Sequence, residues 1–235
     1  MRIRNQLKLK DFLCVSQNFD RPENLKRNLK MYIPKVNLST DKSEIIEFMK
    51  RFSFATIITS KGNFPTATHL PFVVTTKGDQ IVLTSHFAKA NGHWQDIENN
   101  SVLVIFSEPH AYVSTKNYDK ELNVPTWNYI SIHAYGKGKL IIEQEKTFEI
   151  LEATIDNYET EYRQNWDNFP EEYKLKMSKG IVAFEILLTD LQAKKKLSQN
   201  RTGTEQKKII ETLSNSKDTN EIIIAEYMKK NLTDK

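Results

Sequence analysis

All five histidines of this 235-residue chain (His69, His86, His93, His110, His133) fall between residues 69 and 133. Imidazole titrates near neutrality, ligates metals and moves protons, so five in one stretch of β-forming sequence raise the question of a shared pocket. A metal site finds little support. His86 and His93 are seven apart, and the nearby Asp96 and Glu98 complete no recognised ligand set. An anion site is better supported. Thr84-Ser85-His86 reads as a strand end, and Lys89, Asn91 and His93 follow within one short polar connection. Hydroxyls, a cation and free backbone N–H groups at such a junction suit a phosphate. The competing reading is a polar strand end with a solvated lysine.

Two further segments extend this chemistry. Thr68-His69-Leu70-Pro71 lies on a neighbouring strand, and Trp127-Asn128-Tyr129 offers a flat aromatic face. A planar heteroaromatic ring could lie against such strands, its phosphate near Ser85 and Lys89. His69 and His133 are the candidate proton carriers. Separately, Lys194-Lys195-Lys196-Leu197-Ser198-Gln199-Asn200-Arg201 follows a strand and precedes a helix. Lys196, Gln199, Asn200 and Arg201 make it either an anion or partner site, or a solvated basic loop. Several signatures are missing. There is no GxxxxGK[ST], GxSxG or HExxH, and Gly136-Lys137-Gly138 runs into strand-like sequence instead of a helix.

The elements that must position these groups read as follows. Asp41 and Glu44 resemble a capping pair for a helix over about 41–51. Residues 52–60 (FSFATIITS) form a strand, Lys61-Gly62-Asn63 a turn, and Pro65–Thr76 the return strand. Lys77-Gly78-Asp79 turns into Gln80–Ser85, which gives a three-stranded meander. Strands follow at 101–106 and 111–114. A long one spans 126–143, where Gly136 and Gly138 mark a bulge. Helix returns at about 144–163 and 170–179, then a strand at 181–188. Thr202 and Glu205 form a capping box for a helix near 203–214, and Thr219 caps a last one near 220–230. The helical C-terminal part thus covers about 202–231. Alternating βαβ units are absent, so a doubly wound parallel sheet is excluded. The fold class is mainly β with flanking helices (α+β), an antiparallel closed barrel with C-terminal helices.

Composition bounds the rest. With 39% hydrophobic and 27% charged residues, the chain has the make-up of a globular protein. No stretch reaches the ~18 apolar residues of a membrane helix. A single cysteine, Cys14, cannot form an intramolecular disulfide, and no apolar segment follows the basic start as in a signal peptide. A cytoplasmic protein is expected. The net charge of +4 is uneven: residues 1–30 carry eight Lys/Arg and three acids, and 31–235 carry 26 basic against 27 acidic residues. Residues 1–30 read as a poorly ordered basic extension, a nucleic-acid arm, or a leader before a domain at 31–235. The neutral remainder lacks the basic footprint of a DNA-binding domain.

Several segments together carry a family resemblance: Met31-Tyr32-Ile33-Pro34, FATIIT, THLPF at 68–72, HFAKAN at 86–91, FSEPHAYVS at 106–114, VPTWNYISIHAYG at 124–136 and KLSQNR at 196–201. In that order they resemble the PaiB-type FMN-binding negative transcriptional regulators. The resemblance runs from Met31 to about Leu213. It implies an FMN-binding split β-barrel, usually a homodimer with flavin in a groove at the subunit interface. On this chain it implies that Thr68, His69, Leu70 and Pro71 border the isoalloxazine. Ser85, His86, Lys89 and Asn91 would lie near the phosphate, and Trp127 and Tyr129 would close the groove, from the same subunit or from the other one. The related oxidases carry an arginine where this chain has Thr68-His69. Three functions follow from the resemblance. They are a flavin-binding negative regulator, an FMN-dependent oxidoreductase, and a haem-binding or haem-degrading protein of the same barrel type. Direct DNA contact has no helix-turn-helix pattern behind it, and no histidine follows Glu185 to act as a late haem ligand.

Overall fold

The computed structural model describes residues 31–233; the expected extension at 1–30 lies outside them. A two-residue strand β1 (Leu38–Ser39) leads to α1 (Lys42–Arg51). Asp41 caps α1 by accepting from the Glu44 N–H at 3.1 Å. The capping pair is half formed, because the Glu44 carboxylate reaches Lys195 instead. The strands β2 (Phe54–Lys61) and β3 (Phe64–Pro71) are joined by Gly62-Asn63, both left-handed (φ 56° and 68°). That conformation matches the twist of a tight hairpin.

Pro65–Thr76 is not one return strand. It breaks at Phe72, and β4 (Val73–Lys77) pairs with β5 (Gln80–Ala88), at the opposite end of the sheet from β3. The reason is burial: the Phe72 ring is fully enclosed and its N–H donates to the Ser53 carbonyl at 2.9 Å. The chain turns a corner there to put the ring inside, so the expected meander is two separate hairpins. Next come β6 (Ser101–Phe106), β7 (His110–Val113), β8 (Thr126–Leu140) and, after the helices, β9 (Ile181–Lys196). The last strand is twice the expected length and takes in the lysine run.

The sheet order is β3-β2-β6-β8-β9-β5-β4, with β1 on β9 and β7 on β8, and every pair is antiparallel. At the seam between β3 and β5 the Ser85 hydroxyl donates to the Pro71 carbonyl at 2.6 Å. Six strands thereby enclose a core that includes Ile57, Phe72, Leu83, Phe106, Ile132 and Phe184. The β8–β9 register slips between Tyr135 and Gly136, the expected bulge. A side chain on Gly136 would collide with the Leu187 carbonyl, which is why glycine stands there.

α2 ends at Tyr158 (Gln144–Tyr158), five residues before the expected boundary. A short 3-10 turn and α3 (Arg163–Asn168) follow, then α4 (Glu171–Ser178). α5 (Gly203–Ser214) carries the Thr202/Glu205 capping box in full. The start of α6 (Thr219–Thr233) is held by Asp218, whose side chain accepts from the Asn220 N–H at 2.8 Å, so Thr219 is not the cap. No helix among the described residues is long and apolar enough to cross a membrane.

Candidate functional site

Strand periodicity splits the Thr68–Pro71 segment between the two faces of β3. Thr68 stands opposite the buried Ile57, and Leu70 opposite the buried Ala55, so both point inward. His69 points outward in a cross-sheet row with Thr56, Ile105, His133 and Gln192. The exposed Phe54 ring stacks on His69, with centroids 6.5 Å apart. The row is a flat, partly exposed face whose two histidines lie three strands apart, with β2 and β6 between them.

The connection after β5 is pinned to β3 by His93, a ring 3% exposed. Its Nδ1 lies 2.9 Å from Thr68 Oγ1 and its Nε2 3.0 Å from Thr59 Oγ1. Asn91 completes the network. Its Oδ1 accepts from the His93 N–H at 3.1 Å and its Nδ2 donates to Thr68 Oγ1 at 3.2 Å. Burial pushes the His93 pKa down, against a smaller upward pull from Asp96. A neutral imidazole donates from one nitrogen and accepts at the other, so both are satisfied. Lys89 is fixed through its backbone: its N–H donates to the Gly180 carbonyl and its carbonyl accepts from Trp94 Nε1. Its side chain is exposed, and among the described residues no carboxylate pairs with it.

Thr68 and Asn91, bridged through His93, and Ser85, bonded to Pro71, thus lie along the corner where β3 meets β5, with His69 and Leu70 between Thr68 and Pro71 and the Lys89 backbone anchored beside them. Ser85 is buried and its hydroxyl is engaged by Pro71. His86 stands opposite Ala183 on the other face of β5, half-buried, and burial lowers its pKa. Burial does the same to His133. Among the described residues no His, Cys, Asp and Glu cluster could hold a metal ion.

Trp127 and Tyr129 are elsewhere. β8 is three strands from β3 in either direction around the barrel, or about 14 Å of sheet. Trp127 is half exposed, edge-on to Tyr112 at 5.7 Å and tilted against His110 at 5.7 Å. Tyr129 lies beneath the Lys194 ammonium, 5.2 Å from its ring centre. The basic segment is half strand and half turn. Lys196 pairs with Tyr129, and its Nζ donates to Thr126 Oγ1 and the Trp127 carbonyl. Gln199 closes the turn through its side-chain oxygen, which accepts from the Leu197 N–H at 2.7 Å. Arg201 donates to Asn123 at 2.8 Å and stacks on Tyr118, and Asn200 is exposed.

His93, grouped with Lys89 and Asn91 at the candidate anion site but not among the residues expected around the flavin, is the hub of the corner. Its local signal was Asn91 two residues ahead, the spacing of a side chain that caps a turn. Its two threonine partners lie 34 and 25 residues away.

Comparison with known proteins bears on the fold and the family. A family profile described as "Putative FMN-binding domain" matches residues 31–190. The chain is 41% identical over 206 residues to "Protease synthase and sporulation protein PAI 2" of Bacillus subtilis, covering 86% of this chain and 98% of that protein. Among solved structures, the flavocytochrome Anf3 of Azotobacter vinelandii superposes with a TM-score of 0.52 at 17% identity. It covers 70% of this chain and 69% of its own. The FAD and heme binding protein of Mycobacterium smegmatis gives a TM-score of 0.53 at 15% identity, covering 68% and 73%. At those identities the two structures speak for the barrel fold. The sequence relationship goes further: this chain belongs to the PaiB-type family of FMN-binding split-barrel proteins.

Proposed function

We propose that the protein binds FMN at the β3/β5 corner, between two copies of the chain, and acts as a negative regulator of gene expression. The observation that carries the flavin reading is the Asn91–Thr68–His93 network at β3, with Lys89 two residues before Asn91, anchored through its backbone to Gly180 and Trp94 and, among the described residues, paired with no carboxylate. The corner fits a flavin phosphate, and the flat face beyond His69 fits a planar ring. FMN supplies a reversible acceptor of a hydride or of single electrons. The chain supplies position: Lys89 faces the phosphate, and His69 borders the ring. Ser85 acts indirectly, closing the seam that shapes the corner.

The aromatic pair Trp127 and Tyr112 supports the two-copy arrangement. It lies on the far side of the barrel from β3, so it can cover a flavin there from a second copy. The regulatory role rests on the likeness to the Bacillus protein, whose name places it in protease synthesis and sporulation. Residues 31–235 carry no net basic charge, so regulation through a bound ligand fits better than direct reading of DNA.

An absorption and fluorescence titration with FMN tests the proposal. Saturable quenching of flavin fluorescence is expected, with sedimentation at twice the chain mass. Lys89→Ala should weaken uptake about tenfold. Absence of uptake would overturn the flavin reading, and a ligated Soret band with hemin in its place would favour haem. DNA binding at low salt that disappears when residues 1–30 are removed would restore direct repression.

A further inference from the structure

Three segments distant in sequence meet in a cleft of about 320 Å³, well away from the β3/β5 corner. Pro34 and Val36 come from the start of the described chain, and Val124 and Pro125 from the segment before β8; together they form an apolar wall. Thr126, Asn128, Lys196, Ser198, Asn200 and Arg201 form the polar wall. That volume suits one small molecule.

The polar wall carries cations whose partners are neutral. Lys196 donates to a threonine hydroxyl and a backbone carbonyl. Arg201 donates to the Asn123 amide and lies 3.7 Å from the Tyr118 ring centre. Just behind them Lys194 is 8% exposed, donates to the Tyr32 carbonyl and rests on the Tyr32 and Tyr129 rings. The Glu205 carboxylate feels the Arg201 charge. Its oxygens accept from the backbone N–H groups of Asp119 and Thr202. Lys195, on the other face of β9, shows the contrast. It is paired with Glu44 at 2.7 Å. Cations withdrawn from water normally sit beside an anion; among the described residues no carboxylate forms an ion pair with Lys196 or Arg201. Burial and the Lys194 charge push the Lys196 pKa below the usual lysine value.

The backbone is also held unusually. Ser198 has φ 60°, a conformation that favours glycine. It places the Ser198 hydroxyl 2.9 Å from Oδ1 of the fully buried Asn128. Strain of this kind gathers where a chain must present groups to a ligand.

We propose that this cleft is a second ligand site, which takes a small amphipathic anion: a phosphate or carboxylate group on Lys196, Arg201 and Asn200, with an apolar body against Pro34, Val36 and Pro125. It would give the protein an effector site apart from the flavin.

The test uses the full-length protein at constant ionic strength, with phenyl phosphate and benzoate as probes and the melting temperature as readout. Saturable stabilisation by one or both probes is expected. Phenyl phosphate alone would mark a phosphate site, and benzoate a carboxylate site. Lys196→Gln keeps a donor without the charge, and Asn200→Asp puts a negative charge at an exposed position where misfolding is not a concern. Each should weaken the response about tenfold or more, and Asn200→Asp should leave FMN uptake unchanged. Lys89→Ala should leave the response intact. The proposal is overturned by a response that does not saturate, by one that survives Lys196→Gln and Asn200→Asp, or by one lost in Lys89→Ala. Loss of FMN uptake together with the probe response in Asn200→Asp would also overturn it, because the cleft would then hold the flavin phosphate.

Discussion

The β3/β5 corner and the cleft at the end of β9 are built from similar residue types with opposite outcomes. At the corner every polar group of Thr59, Thr68, Asn91 and His93 that bears on the network finds a neutral partner inside it, and the free cation, Lys89, projects into solvent. At the cleft the cations themselves are half enclosed, and their partners are hydroxyls, carbonyls and aromatic faces. A closed neutral network stabilises the fold by itself, because each buried group would otherwise lose water with nothing in return. A cluster of partly enclosed cations gains less from such neutral partners, and an anion would stabilise it. Rigidity at the corner and unsatisfied charge at the cleft thus suggest two uses, one to hold a cofactor in place and the other to respond to a ligand.

Removing the hub of the corner should have the largest effect. His93→Ala leaves a cavity and strands the buried Thr59 hydroxyl, while Thr68 keeps only its bond from Asn91, at a cost of about 3 kcal/mol or more in denaturant unfolding. The matching change in the cleft, Lys196→Gln, should cost under about 1 kcal/mol, since the site lies at a half-exposed edge. Equal costs would erase the distinction between the two regions.

The bulge that aligns β8 with β9 comes next. Gly136→Ala drives a methyl into the Leu187 carbonyl and should destabilise by about 2 kcal/mol. Gly203→Ala, with open space around it at the first turn of α5, should be neutral or slightly stabilising by the same thermal melt. A harmless Gly136→Ala would mean that the bulge is adaptable and does not fix the register that brings Lys194 and Lys196 beside Tyr129.

A smaller effect is expected from pH. His86, His93 and His133 all have pKa values lowered by burial. The unfolded chain takes up protons on these side chains near their ordinary value of about 6.5, while the folded chain resists. Stability is therefore complete above that value and falls as the pH drops through it toward the folded pKa values. In a His93→Gln variant the slope between neutral and mildly acidic pH should be shallower. An unchanged slope would assign the pH dependence to His86 and His133.

These contrasts also show what the sequence could carry. The hairpins at Gly62-Asn63 and Gly78, the bulge at Gly136 and the Thr202/Glu205 capping box were legible because each is decided within a few residues. The break at Phe72 was not. Pro65–Thr76 reads as unbroken β-forming sequence, and the corner exists because the barrel needs that ring inside. Lys194–Lys196 read as a loop because three lysines in a row hide the alternation. Lys195 turns to Glu44, and its neighbours turn to the aromatic face. Of the site, Thr68, Pro71, Ser85 and Asn91 converge, whereas Trp127 and Tyr129 lie across the barrel. Strand order is set by long-range pairing, and motif spacing carries no record of it.

The smallest predicted effect falls on the strained turn of the cleft. Ser198→Gly relieves a left-handed backbone, a gain of up to about 1 kcal/mol. It also removes a hydroxyl that donates to the buried Asn128, a loss of about 1 kcal/mol. The two nearly cancel, so the melting temperature should stay within a few degrees of the parent's. The response to phenyl phosphate should nevertheless weaken, because Asn128 is then free to turn away from the cleft. A large drop in melting temperature would show that the Ser198–Asn128 bond anchors β8 to α6 through Met228, and the strain would then belong to the fold and not to the ligand site.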